Sequence, residues 1–291
     1  MMNFGNVLTA MVTPFDNRGN LDLDKTTQLV NYLIENGSDG LVIAGTTGES
    51  PTLTSEEKVA LCEHVVSVVD NRVPVIAGTG SNNTHASIEL TKKAEQTGVD
   101  GIMLVAPYYN KPSQEGLFQH FSTIAKETSL PVMLYNIPGR SVVNMDIDTI
   151  TRLSRIENIV SVKDASGDLD AMTELISNTD DDFSVYSGED SLTLPSVAVG
   201  ANGIVSVSAH VIGNEMQEMI RELREGDSRK AAKLHQKLLP VMNACFMAPS
   251  PTPVKTALQM KGLDVGGVRL PLIPLSAEER STLSKALDPF K

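Results

Sequence analysis

Basic residues are scarce in this 291-residue chain: 24 lysines and arginines stand against 36 aspartates and glutamates, a formal net charge of −12. With no basic cluster to break that acidic surface, the sequence offers no footprint for nucleic acid. A single buried cation would still serve a small anionic substrate. Cysteine is as rare. Cys62 and Cys245 both fall in apolar helical patterns, which predicts inert core residues in a reduced compartment and no disulfide framework. No run approaches the roughly 20 apolar residues of a membrane span. The opening MMNFGNVLTAMVTPF does not have the charged-then-apolar layout of a secretory signal. The expectation is a soluble, cytoplasmic protein with no membrane partner. The five histidines never form His-x-His or His-Glu-x-x-His, so no metal site is expected. No low-complexity segment and no Pro/Gly/Ser-rich linker interrupts the chain.

What is present is a rhythm. β-branched runs at 7–14, 40–44, 74–78, 101–106, 131–136, 159–163, 183–187 and 203–208 recur along the chain, with a helical pattern between consecutive runs. Near-continuous apolar strands separated by helices imply a parallel sheet covered on its faces. Eight of them closing on themselves predict an α/β fold, the (β/α)8 TIM barrel. A doubly wound open sheet would want G-x-G-x-x-G after the first strand, and VTPFDNRGNLD does not supply it. One helix is expected from near Asp22 to Gly37, a residue suited to a helix C-terminus. Another opens with Thr54 and Glu57 at capping-box spacing and repeats Val59, Cys62, Val66 and Val69. Beyond the eighth strand the pattern is wholly helical, at about 212–225, 227–247, 252–261 and 277–288. That is more helix than closure needs. The expected organisation is a catalytic barrel over residues 1–225 and a C-terminal helical region over 226–291.

In such a barrel, chemistry gathers where strands end. Those ends carry Thr13, Thr46, Thr47, Gly78, Tyr108, Tyr109, Tyr135, Arg140, Lys163, Gly188 and His210. The set has one lysine, one arginine and no carboxylate pair of the glycosidase kind. His64, His85, His120 and His235 read as surface positions, and His210 as the end of a strand. Lys163 closes the apolar run NIVSVK. It would either pair with Asp164 or reach out of the barrel mouth, or it would act as a Schiff-base nucleophile. A free lysine is neutral in only about one molecule in 2,500 at pH 7, and apolar enclosure favours the neutral amine. Condensed with a carbonyl substrate, it forms an iminium that draws electrons from the adjacent carbon without a metal or organic cofactor. AGTTGES, residues 44–50, offers hydroxyls and backbone N–H groups that suit a carboxylate, although Thr-Thr-Gly is also ordinary turn chemistry. Tyr135 ends the fifth strand beside Lys163, where it is core or catalytic. Arg140 follows in a loop where its guanidinium suits a second carboxylate.

TPFDNRGNLD, GTTGES, AGTGSN, PYYNKP, YNIPGR and VKDASGD occur in that order along the chain. Together they resemble the pyruvate-dependent lysine-Schiff-base aldolase/lyase family, and VRLPLIPLS resembles its C-terminal segment. The resemblance implies condensation of pyruvate with aspartate 4-semialdehyde, the first committed step towards diaminopimelate and lysine, with no cofactor. It implies that Lys163 forms the imine and that Thr46 and Thr47 hold the pyruvate carboxylate. Tyr135 would relay protons through Thr47, completed by Tyr109 from a neighbouring subunit. Arg140 would bind the semialdehyde carboxylate, and Gly188 and Val205 would line the pyruvate pocket. The partner expected is a second copy: at least a dimer, with a tetramer left open. His210 departs from the asparagine common at its place.

Sister aldolases acting on sialic acid or keto-deoxy sugar acids share the pyruvate half, and Arg140 in NIPGR favours the short semialdehyde over them. A barrel that merely binds would not need Lys163, Tyr135 and Thr47 together. Relatives that are inhibited by lysine use a histidine pair and a glutamate at an inter-subunit pocket. This chain keeps Ser50, Asn82 and Tyr108 there but has Ser55, Lys58 and Ala86 in their stead, so weak or absent inhibition by L-lysine is expected.

Overall fold

Eight parallel strands pair in chain order and close on themselves: β1 (Val7–Ala10), β2 (Gly40–Ile43), β3 (Val75–Gly78), β4 (Gly101–Val105), β5 (Val132–Asn136), β6 (Ile159–Asp164), β7 (Ser184–Ser187) and β8 (Gly203–Ser206), which returns to β1. The structure, a computed structural model, describes residues 4–290. The first three residues of the opening stretch and Lys291 lie outside the described residues. Helices α1 (Leu23–Glu35), α2 (Ser55–Val69), α3 (Thr84–Glu95) and α4 (Gln114–Ala125) follow the first four strands. The short α5 (Pro138–Ser141) and α6 (Ile147–Leu153) follow β5, then come α7 (Leu169–Asn178), α8 (Thr193–Ala198) and α9 (Ala209–Arg224). Three more helices, α10 (Ser228–Ala244), α11 (Thr252–Met260) and α12 (Ala277–Leu287), complete the chain.

The period of two along each strand divides the apolar residues between two cores. Leu8, Ala10, Val42, Met103, Met133, Tyr135 and Val205 fill the barrel interior. Their alternates face the helices: Val7, Leu41 and Ile43 on one side of the ring, and Ile102, Leu104, Leu134 and Val162 on the other. Helix starts are held as the spacing predicts. Thr54 and Glu57 form a reciprocal capping box on α2, and the Asp22 side chain caps α1, contacts that stabilise by about 1 kcal/mol each. The C-terminal helices bury Leu238, Val241, Leu258 and Leu283 in the same apolar cluster as Val7 and Ile43. Cys62 and Cys245 are buried and free. Among the described residues, no helix is long and apolar enough to cross a membrane.

Three readings of the sequence need correction. The first strand ends at Ala10, because beyond it the chain leaves the sheet and Val12 N–H donates to His210 Nε2 at 3.1 Å. His210 does not end a strand. It lies in the first turn of α9, fully buried. His120 is no surface residue either: it is 7% exposed on α4, with Nδ1 2.9 Å from Thr84 Oγ1 across the helix pair.

Candidate active site

Lys163 points into the barrel because it stands in register with Tyr135 on one side and Tyr186 on the other, both interior residues. Its side chain is buried, and Nζ lies 4.2 Å from the centre of the Tyr135 ring. Among the described residues Nζ makes no ion pair. Asp164, one residue on, faces the opposite way and accepts from Asn136 Nδ2 at 2.9 Å and Ser166 Oγ at 2.6 Å. Burial raises its carboxyl above the ordinary range. The alternative of a lysine neutralised by its neighbour is therefore not what the chain builds. Gly188 sits against the lysine stem: a Cβ there would stand 2.9 Å from Lys163 Cε and 2.7 Å from Ala165 Cβ. Only glycine leaves the amine its place.

The loop after β2 is drawn tight. Ala44 and Glu49, at φ 51° and 57°, adopt the left-handed conformation at its two ends, strain of the kind that clusters at functional sites. Glu49 N–H donates to Thr46 O at 3.1 Å and Ser50 N–H to Gly45 O at 3.2 Å. Thr13 Oγ1 donates to Gly48 O at 2.6 Å. The N–H groups of Thr46 and Thr47 find no protein acceptor among the described residues. Two free donors and two hydroxyls on a rigid turn are suited to a carboxylate. A cavity of about 430 Å³ brings Thr46 together with Tyr135 and Arg140. Thr47 and Val205 are buried, and like Lys163 and Gly188 they do not line that cavity.

Arg140 lies on α5, exposed, where the turn is closed by Val142 in a left-handed conformation at φ 64° that a β-branched residue rarely takes. Tyr109 does not enter this site: it is 89% exposed at φ 74° and does not line the cavity. No hydrogen bond joins Tyr135, Thr47 and Tyr109 within the described residues, so one chain alone does not close the expected relay.

Several contacts at the mouth escaped the sequence reading. Asp190 Oδ2 accepts from Ser208 N at 2.7 Å, Ser208 Oγ at 2.6 Å and Val207 N at 3.2 Å, tying the loop after β7 to the one after β8. Burial raises its carboxyl, and burial also raises that of Glu189, which feels the charges of Asp190, Lys163 and Arg140. His210 accepts from Val12 N and places Nδ1 2.7 Å from Val207 O, so Nδ1 carries the proton. Its burial pushes it down to about 4, which makes it a neutral brace between two loops. Apart from the local His210–Val207 contact, nothing in the pattern marks these contacts, since they join segments that follow different strands.

The same cavity extends to Ser50, Lys58 and Tyr108. Burial lowers the Lys58 ammonium below its usual value. Asn82 Nδ2 donates to Tyr108 O at 3.1 Å. Glu57, the nearest acid in sequence, is occupied. Arg269 grips both its oxygens, at 2.5 and 2.9 Å, and holds it below the usual carboxylate range.

Residues 3–289 match the dihydrodipicolinate synthetase family. A 4-hydroxy-tetrahydrodipicolinate synthase of Bacillus velezensis is 62% identical over 286 residues, covering 98% of this chain and 99% of that protein. The Bacillus subtilis enzyme of that name is 61% identical over 287 residues, with the same coverage of each chain. A dihydrodipicolinate synthase crystal structure from Bacillus anthracis superposes with a TM-score of 0.99 at 69% identity, covering 100% of both chains. One from Cyanidioschyzon merolae with lysine bound gives 0.96 at 44% identity, covering 98% of this chain and 97% of that one.

Proposed function

The chain belongs to the dihydrodipicolinate synthetase family, and from that premise we propose that it is a lyase working as a 4-hydroxy-tetrahydrodipicolinate synthase. It condenses pyruvate with aspartate 4-semialdehyde in the first committed step of diaminopimelate and lysine biosynthesis. The observation that carries this reading is Lys163: a buried amine in β6, with Nζ over the Tyr135 ring and in no ion pair among the described residues.

Lys163 Nζ attacks C2 of pyruvate, and loss of water leaves a protonated imine. Thr46 and Thr47 receive the pyruvate carboxylate on their N–H groups and hydroxyls. Tyr135, in contact with the amine, delivers and removes the proton that imine formation needs. Loss of a proton from C3 gives an enamine, because the iminium accepts the electron pair. C3 then attacks the aldehyde carbon of the semialdehyde, whose carboxylate Arg140 clamps at the mouth. The semialdehyde's own amine adds to C2 and displaces Lys163, closing the ring and freeing the enzyme. Gly188 and Val205 shape the pocket around the pyruvate carbons. Tyr109, exposed on its own chain, completes the proton relay in a second copy, which makes the working unit a homo-oligomer. No cofactor takes part, and the reaction belongs in the cytoplasm.

Borohydride added with pyruvate tests the chemistry: the expected result is irreversible inactivation, with the reduced adduct on the peptide bearing Lys163. An adduct on another lysine overturns it. A panel of aldehyde acceptors at fixed pyruvate tests the second substrate. Aspartate 4-semialdehyde should exceed any sugar-derived aldehyde, and the reverse order would make the chain a sister aldolase.

A further inference from the structure

We propose that the buried Glu49–Lys255 ion pair is a positioning device for the carboxylate subsite. In this proposal it holds the loop 44–50 so that Thr46 and Thr47 face the bound pyruvate. The proposal rests on the Schiff-base reading above. Neither residue lines the cavity, and neither is hydrogen-bonded or ion-paired to Lys163 among the described residues. Glu49 stands in the loop itself, in the left-handed conformation, and its own N–H closes the turn on Thr46 O.

The pair is sealed. The two side chains are 1% and 2% exposed, and Lys255 Nζ lies 2.7 Å from Glu49 Oε1. The other carboxylate oxygen accepts the backbone N–H of Arg269 at 2.8 Å. Lys255 donates in turn to Gly267 O at 2.6 Å. Phe15 is wedged beneath, with Lys255 Nζ and the Arg269 guanidinium each 4.3 Å from its ring centre. Arg269 also donates to Thr52 O at 2.7 Å, so the loop is gripped again just past its end. All these anchors come from α11 and the segment that follows it, the part of the chain with no candidate chemistry of its own.

A buried ion pair is a poor device for stability alone, since apolar residues of the same volume serve as well or better. It does fix direction. One ion pair and a backbone N–H define where the Glu49 carboxylate lies, and Glu49 is two residues from Thr47. A shift of about 1 Å in groups that orient a substrate is enough to cost up to 100-fold.

The pyruvate concentration that half-saturates borohydride trapping reads the first half-reaction by itself. It should be measured in the wild type, Lys255→Met, Glu49→Gln and the double variant Glu49→Met/Lys255→Met, each checked by circular dichroism to be folded at the assay temperature. Both single variants should raise it about 10-fold or more, while the KM for the semialdehyde stays within about twofold. The double variant, free of buried charge, should regain thermal stability but keep the weak pyruvate half-saturation. A structural role alone predicts that stability and pyruvate binding return together, and that result overturns the proposal. So does a folded Lys255→Met protein with wild-type pyruvate dependence. Should a single variant not fold, the double variant decides between the same two outcomes. Failure to trap pyruvate on Lys163 in the wild type would sink the Schiff-base reading itself, and is told apart by that control.

Discussion

Lys163 and Lys255 are almost equally hidden from solvent, at 4% and 2% exposure. Each carries an aromatic ring beside its Nζ, Tyr135 at 4.2 Å for the first and Phe15 at 4.3 Å for the second. They differ in what faces the charge. Lys255 meets the Glu49 carboxylate and the Gly267 carbonyl, and burial pushes it down to about 8. Lys163 has the Tyr135 ring and Gly188 beside it and makes no ion pair among the described residues. Burial alone does not make a lysine a nucleophile. What separates the two is an ion pair: Lys255 is tied to Glu49, while Lys163, in no ion pair among the described residues, is the one proposed above to take a carbonyl.

The comparison breaks most visibly at Lys163. Lys163→Ala should lower kcat on the order of 10³-fold or more while the far-UV circular dichroism and melting midpoint stay close to wild type. A variant that loses activity only because it unfolds would place Lys163 with Lys255. The second break is the converse. Lys255→Met leaves a buried carboxylate without its partner and should destabilise by about 3–5 kcal/mol in denaturant titrations. A loss below about 1 kcal/mol would mean that the pair is weaker than its burial implies.

Arg140 extends the series to an exposed cation at the cavity, the one proposed to clamp the semialdehyde carboxylate. Arg140→Ala removes a charge-assisted contact worth about 1.5–3 kcal/mol, or about 10- to 150-fold in kcat/KM for the semialdehyde. Pyruvate trapping should be nearly unchanged, and equal damage to both half-reactions would make Arg140 a brace for its loop. His210 shows the other way to bury a titratable group, as the neutral form. Its folded-state value of about 4 lies below the ordinary 6.5. The stability this gives is therefore complete above about pH 6.5 and is lost as the pH falls towards 4. At pH 5 the loss from this group is about 2 kcal/mol, and His210→Asn should remove that part of the acid sensitivity in urea melts at pH 7 and pH 5. The smallest effect is expected from L-lysine. Lys58 opposes its ammonium groups, and Glu57 is already held by Arg269. An initial-rate titration at saturating pyruvate should give no half-inhibition below about 1 mM, equivalent to binding no tighter than about −4.1 kcal/mol.

All eight strands were legible from the sequence because a parallel strand buried on both faces writes itself as a short β-branched run, and each run needs only its own residues to be recognised. Lys163, Tyr135 and Thr46 were legible for a related reason: the barrel makes a residue's place at a strand end a statement about where it points. The residues missed depend on distance. Glu49 lies inside a motif read for its threonines, while its partner Arg269 is 220 positions away. His120 was misplaced because its helix packs polar Thr84 against it, a contact between two helices that neither pattern announces. His210 followed a run that continued past the true end of β8, where Ser206 Oγ accepts the N–H of Ala209 and starts the helix instead.

The clamp on the threonine loop also sets an order in time. A chain emerging from the ribosome has produced every residue of the candidate chemistry, from Thr46 to Val205, before Lys255 and Arg269 exist. Until those residues emerge, Glu49 is a carboxylate without its lysine and the loop lacks these two anchors. Residues late in the sequence thus complete the anchoring of a loop that lies early in it.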